Sequence, residues 1–448
     1  MPLLEQSGKL PCAVSVHVSM VVRRASEAPS LRREGPVRSS LTPRASPQFD
    51  DLVLRAIERF PDKLREFARP WELAAFVWVP AIGLGYAFWY ELRASTRLQD
   101  FGIFRVAARA VLDGRSPYPA ATAQGVSHFD KFVYPPATAF LFAPLAELPL
   151  AVAQVLMLVL GVVCVFIALR LLGVRDWRCY GIAAISSPAV NSLALGAVTS
   201  FMLVGVAAAW RYRDRPGLSG LLVAVTAVGK LFLWPLGLWL LATRRFRTTA
   251  IAAGAGLVLL VGGWAAIGFA GMRSYPHLLR VLSSVEEGTS YSPVAFLHLS
   301  STAAGFLTVV LAVLLVVAVL LAARGADGDR RALAIAVVGS LVVTPIVWLH
   351  YFLLLLVPIA LYRPRLSPLW FAPILLWATP STHSHGVTWH IGLALGVTAL
   401  VVIRTTAQAR TEWLVGLSAA IPARAARVAR SVLAVGQRRL STTTSPSR

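Results

Sequence analysis

Charge is what this chain has least of. Only 14% of its 448 residues are charged and 56% are hydrophobic, with a mean hydropathy of +0.66. A water-soluble protein of this length cannot cover its surface with so few charges, so a string of soluble domains is excluded. A chain that crosses a membrane repeatedly is expected instead. Acidic residues are scarcer still, 21 against 43 Lys and Arg. The resulting charge of +22 could suit nucleic acid, but the basic residues sit in the tails and in short loops. There they orient a membrane protein, and no nucleic-acid partner is expected. Cysteine is nearly absent. Cys12, Cys164 and Cys179 lie too far apart for a disulfide framework or a CxxC metal site. Neither a Walker loop nor a G-x-S-x-G turn occurs, which removes the usual signs of nucleotide binding and of a serine hydrolase.

What the sequence does have is a succession of apolar segments from Glu72 to about residue 403, between a basic arm (1–70) and a basic tail (404–448). The arm reads as disordered, and Trp413–Leu440 in the tail as an amphipathic helix on the membrane surface. Arginine clusters at 175–178, 211–215, 244–247, 330–331 and 363–365 mark cytosolic loops. Two clusters on one side require an even number of crossings between them. Segments 180–210 and 217–242 are therefore expected to be hairpins of two short helices, and 332–362 is expected to break at Trp348-Leu349-His350. Half a hairpin spans about 18 Å, short of the roughly 30 Å hydrocarbon core, so such helices must be enclosed by protein or line a cavity. The fold class is an all-α polytopic membrane bundle of about 12 crossings with both termini cytosolic. Its outer face then gathers the loop 91–134, Gly196, Lys230, Glu286-Glu287, His350 and the His383/His385 pair.

Among these, Asp100 reads as the N-cap of an interfacial helix over 101–113, stopped by Gly114. The same geometry would hold a catalytic carboxylate at the membrane boundary. Lys230 stands in the apolar run AVGKLFLWP; it either snorkels to headgroups or faces a cavity that takes an anionic group such as a lipid phosphate. His350 is either a buried hydrogen-bonding residue or a ligand for phosphate or a sugar hydroxyl. Tyr134 precedes two prolines that set an extended entry into the membrane. Arg105 and Arg109 lie one turn apart on the interfacial helix. His383 and His385 have metal-like spacing but lack a nearby carboxylate or cysteine, and no metal or other cofactor is expected. Asp327-Gly-Asp329 reads as a solvated turn.

Several of these stretches, taken in order, resemble one family. They are Asp100-Phe101 with its Ala-Arg helix, LDGRSPY (112–118), FVYPPATAFLFAPLAELP (132–149), LALGAVTSFML (193–203), VTAVGKLFLWPLGLWLLATRR (225–245) and TPIVWLHYFLLLLVPIAL (344–361). The ordered set is similar to the actinobacterial integral-membrane mannosyltransferases of glycosyltransferase family 87, in the GT-C superfamily. The family usually has Gly-Gln where this chain has Gly196-Ala197. The resemblance implies a GT-C fold over 71–403. It also implies inverting transfer of a sugar, typically mannose, from a polyprenyl-phosphate donor to a glycolipid or glycan acceptor of the cell envelope, on the outer side of a bacterial plasma membrane. The general base would be an aspartate of the first outer loop, here Asp100. Lys230 and His350, with Arg105, Arg109 and Tyr134, would then meet the donor phosphate or substrate. A lipid or solute transporter, or a noncatalytic relative, stays open beside this reading.

Overall fold

The computed structural model describes residues 69–93, 98–127, 131–325, 327–379 and 388–405. Contacts divide the chain after Glu66, and every described residue lies in the second unit. The tail helix, His383 and His385, and the arm apart from its last two residues lie outside the described residues.

All regular structure among the described residues is helical. Among the described residues, five helices are long and apolar enough to cross a membrane alone: Pro70–Trp89, Leu150–Leu171, Phe246–Ala266, Ser301–Ala322 and Thr388–Thr405. Leu150–Leu171 has 22 residues, which at 1.5 Å per residue gives about 33 Å. A sixth span results if the bent pair Ser187–Ala194 and Thr199–Arg211, turned through 120°, counts as one. The expected dozen crossings is not reached by such helices. The remaining apolar helices, Pro216–Gly229, Leu231–Ala242, Leu349–Tyr362 and Pro368–Ala378, are shorter.

Long and short helices divide the work of meeting lipid. Ser301–Ala322 and Phe246–Ala266 expose Phe306, Val309, Leu257 and Val258. Leu349–Tyr362, 3₁₀-helical as far as Leu355, is buried throughout. Irregular backbone is tolerated at membrane depth only when protein encloses it, and this stretch is the centre of the larger apolar core.

The segment 216–242 doubles back. Arg245, just after it, donates to the carbonyl of Arg213 and to Asp214, just before it, at 3.2 Å for Asp214. Pro216–Gly229 therefore runs alongside Phe246–Ala266 in the same direction: a Cβ on Gly220 would sit 2.8 Å from Ile251, and one on Gly256 3.9 Å from Val228. The other arginine clusters meet at this end. Asp329 accepts from Arg213 at 3.0 Å, from Arg245 at 2.9 Å and from the Trp239 indole at 2.9 Å. Tyr362 reaches Asp327, and Arg175 and Asp176 bond the backbone of Pro364 and Leu366. The Asp327–Asp329 turn is thus a clasp joining three segments, not a solvated turn.

Candidate active site

The opposite ends of these helices hold the sequence-predicted residues. The helix Gln99–Leu112 starts after Leu98, which adopts a left-handed φ of 45°. Asp100 is its second residue, not its N-cap, and its side chain caps nothing. A neighbouring loop supplies the cap: Leu195 O accepts from the amides of Asp100 (3.0 Å) and Phe101 (3.3 Å). That approach requires a glycine next door. Gly196 has φ +63°, and a Cβ there would lie 2.8 Å from the Phe101 Cβ. At the far end Gly114, at φ +66°, stops the helix as its sequence suggests, with Arg115 N–H returning to Ala110 O.

Released from capping, the Asp100 carboxylate faces two buried groups. His350 Nε2 lies 4.0 Å from its Oδ2. Lys230 Nζ lies 3.5 Å from the same Nε2 and 3.4 Å from Thr199 Oγ1. Lys230 sits in the extended break after Pro216–Gly229 and is 2% exposed, so it does not snorkel to the surface. Its ammonium stands 3.6 Å from the Tyr351 ring centroid and 5.8 Å from those of Tyr134 and Phe232, a cation–π cage. His350 is no hairpin tip. It lies in the enclosed 3₁₀ helix, 1% exposed, with Nδ1 unpartnered. Asp100 keeps 20% of its side chain exposed and so is the most accessible group of this trio. Burial raises its carboxyl to about 6, against the pull of Lys230 and then Lys131.

Tyr134 is held where the sequence has its two prolines. Pro136 is the first residue of the helix Pro136–Leu141, a position that suits a residue without an N–H. Arg105 and Arg109 do not join the cluster. They donate to the carbonyls of Leu148 (2.9 Å) and Ala146 (3.4 Å), pinning the turn before Leu150–Leu171. Sequence reasoning missed Thr199, Tyr351, Lys131 and the role of Leu195. Only Tyr351, adjacent to His350, carried a local signal.

Residues 132–349 match glycosyltransferase family 87. This part of the chain is thus similar to glycosyltransferase family 87, the family that the ordered motifs resemble. Among curated relatives, the polyprenol-phosphate-mannose-dependent alpha-(1-2)-phosphatidylinositol pentamannoside mannosyltransferase of Mycolicibacterium smegmatis is 28% identical over 359 residues, 75% of this chain and 86% of that protein. No solved structure matches. The family match includes Tyr134, Thr199 and Lys230; Asp100 lies before it and His350 is the first residue after it.

Proposed function

We propose that this protein is an inverting glycosyltransferase that moves mannose from a polyprenyl-phosphate donor to a glycolipid or glycan acceptor of the cell envelope. The site faces outward across a bacterial plasma membrane, and both termini are cytosolic. The observation that carries this reading is the partly exposed Asp100 carboxylate backed by buried His350 and Lys230. The donor named for the mycobacterial relative supports the choice of substrate.

Inverting transfer needs one carboxylate that takes the proton of the acceptor hydroxyl. Asp100 accepts that proton while the acceptor oxygen bonds to the anomeric carbon. On the opposite face the bond from that carbon to the phosphate oxygen breaks. Polyprenyl phosphate leaves with the electron pair, gaining negative charge. Lys230, caged by aromatic rings, provides positive potential in a region that excludes water, where electrostatic stabilisation is strongest. His350 holds the space between Lys230 and Asp100. Tyr134 walls the cage, while Arg105 and Arg109 support the turn at 146–148.

The test is Asp100→Asn, which preserves size. Transfer measured with polyprenyl-phosphate-mannose should fall at least about 100-fold, the lower contribution of a general base. Near-wild-type transfer by the purified variant would remove Asp100 from the mechanism.

A further inference from the structure

One side chain beside the Asp100, His350 and Lys230 trio is neither enclosed nor used by the transfer steps. From Val347 to Tyr362 every residue is buried except Trp348, which keeps part of its surface open. Tyr351 and Phe352, a turn later, are enclosed, so the segment does accommodate large rings. Trp348 is held out by its backbone, which is extended at φ −96° and ψ 158° just before the helix Leu349–Leu355. The chain leading into it is pinned from another segment. The buried Ser290 hydroxyl donates to Pro345 O and accepts from Val347 N, each at 3.0 Å, and Tyr291 N donates to Val347 O at 2.8 Å.

The Trp348 ring stands against the reactive groups. Its centroid is 6.0 Å from that of His350, with the planes 24° apart, and 5.6 Å from that of Tyr351, edge to face. His350 Nε2 in turn faces Asp100 Oδ2 at 4.0 Å, and the Tyr351 ring holds the Lys230 ammonium at 3.6 Å. Trp348 is thus one ring away from Asp100 through His350, and one ring away from Lys230 through Tyr351. Near-parallel rings at this separation are offset, so the imidazole covers only part of the indole face.

Many membrane proteins carry tryptophan in a belt at the headgroups. Trp348 has polar company instead. Burial raises the Glu286 carboxyl, but side-chain hydrogen bonds from Lys131, Thr289 and Trp348 bring it below the ordinary glutamate range. Lys131 is ion-paired with Glu286 Oε1, and the Thr289 hydroxyl donates to Oε2 at 2.7 Å. The indole N–H is therefore turned toward a fixed carboxylate and not toward lipid.

A sugar ring presents flat patches of C–H groups between its hydroxyls. Such patches are slightly positive and lie well on the negative face of an aromatic ring, while the hydroxyls go to charged neighbours. We propose that Trp348 is a substrate-contact residue, a platform on which a pyranose ring of the donor or of the acceptor stacks beside Asp100. The proposal rests on the reading of this site as a glycosyltransferase centre.

The experiment compares wild type, Trp348→Phe and Trp348→Leu. It measures kcat, the KM of polyprenyl-phosphate-mannose, the KM of a short mannoside glycolipid acceptor, and the inhibition constant of sugar-free polyprenyl phosphate. Leucine stays apolar but removes the ring face. Trp348→Leu should therefore raise one KM by about fivefold or more, with inhibition by polyprenyl phosphate unchanged, and Trp348→Phe should recover most of the loss. A raised donor KM assigns the platform to the donor sugar, and a raised acceptor KM assigns it to the acceptor. Weaker inhibition by polyprenyl phosphate in step with the donor KM would overturn the proposal, because the ring would then serve the phosphate or the packing around it. A lower kcat and melting temperature with both KM values unmoved would also overturn it. If Trp348→Leu does not accumulate, Trp348→Phe decides: one KM raised about twofold with unchanged inhibition supports the stack, and unmoved KM values overturn it. Unmoved KM values with an inactive Asp100→Asn would sink the platform and leave the base in place. Absence of transfer by wild type would sink both.

Discussion

The two ends of this helix bundle treat buried charge differently. At the arginine end, one carboxylate satisfies several donors: Asp329 takes two guanidinium groups and an indole N–H. Arg213 and Arg245 each reach a carboxylate and a carbonyl there, although the buried Nε atoms of Arg245 and Arg331 have no partner, and the result is a clasp. At the other end, Lys230 makes only contacts of 3.4 Å or longer with Thr199 and His350, and His350 Nδ1 has no partner. Asp100 Oδ2 comes no nearer to the buried His350 imidazole than 4.0 Å. Saturated charge holds a fold together, whereas incompletely satisfied charge is available to a substrate. The contrast supports the proposed site without reference to family.

The loss expected for Asp100→Asn is the largest that this contrast implies. Next comes Lys230→Ala, which should lower kcat/KM by tenfold or more, an effect of roughly 1.4 kcal/mol, chiefly through weaker donor binding. Lys230→Arg should keep part of the activity because charge matters more than shape at a phosphate. Unchanged donor KM and kcat in Lys230→Ala would make the reactive end another clasp. The third effect is on pH. The base works ionised, so wild-type kcat/KM should fall about tenfold per unit below a carboxyl of about 6. An acid limb near 4 would mean that Asp100 is solvated like an ordinary aspartate. Gly196→Ala should cost more than about 1 kcal/mol of stability, since alanine is strained at φ +63°, and should lower kcat several-fold by shifting Phe101 and with it Asp100. Retained kcat would show that the helix start tolerates displacement. The smallest effect on chemistry belongs to the clasp. Asp329→Ala should destabilise by about 2 kcal/mol, read as a lower melting temperature, while the folded fraction keeps its kcat/KM. A tenfold loss of specific activity would mean that the two ends are coupled.

The sequence revealed lone polar residues in apolar runs and little about their partners. Lys230 and His350 stood out because a charge or imidazole in such a run is costly. The doubling back of 216–242 followed from the arginine spacing, since both its ends carry basic residues that must share a side. The pairing of Lys131 with Glu286 had no local signal, because no periodicity links residues 155 positions apart. Asp100 read as a cap because an aspartate before an amphipathic stretch usually is one. The capping atom turned out to be a main-chain carbonyl in another segment, which side-chain patterns do not encode. The same blindness hid Arg105 and Arg109, whose acceptors are carbonyls as well.

That carbonyl also bears on how such an enzyme can change. The group that anchors the first turn of the Asp100 helix is the peptide oxygen of Leu195, which every amino acid carries. Substitution at position 195 can reshape the neighbourhood of the Asp100 carboxylate while the anchor remains. The constraint falls on the adjacent glycine, which has no side chain to vary. Position 195 can therefore drift, or be engineered, while the start of the Asp100 helix stays anchored.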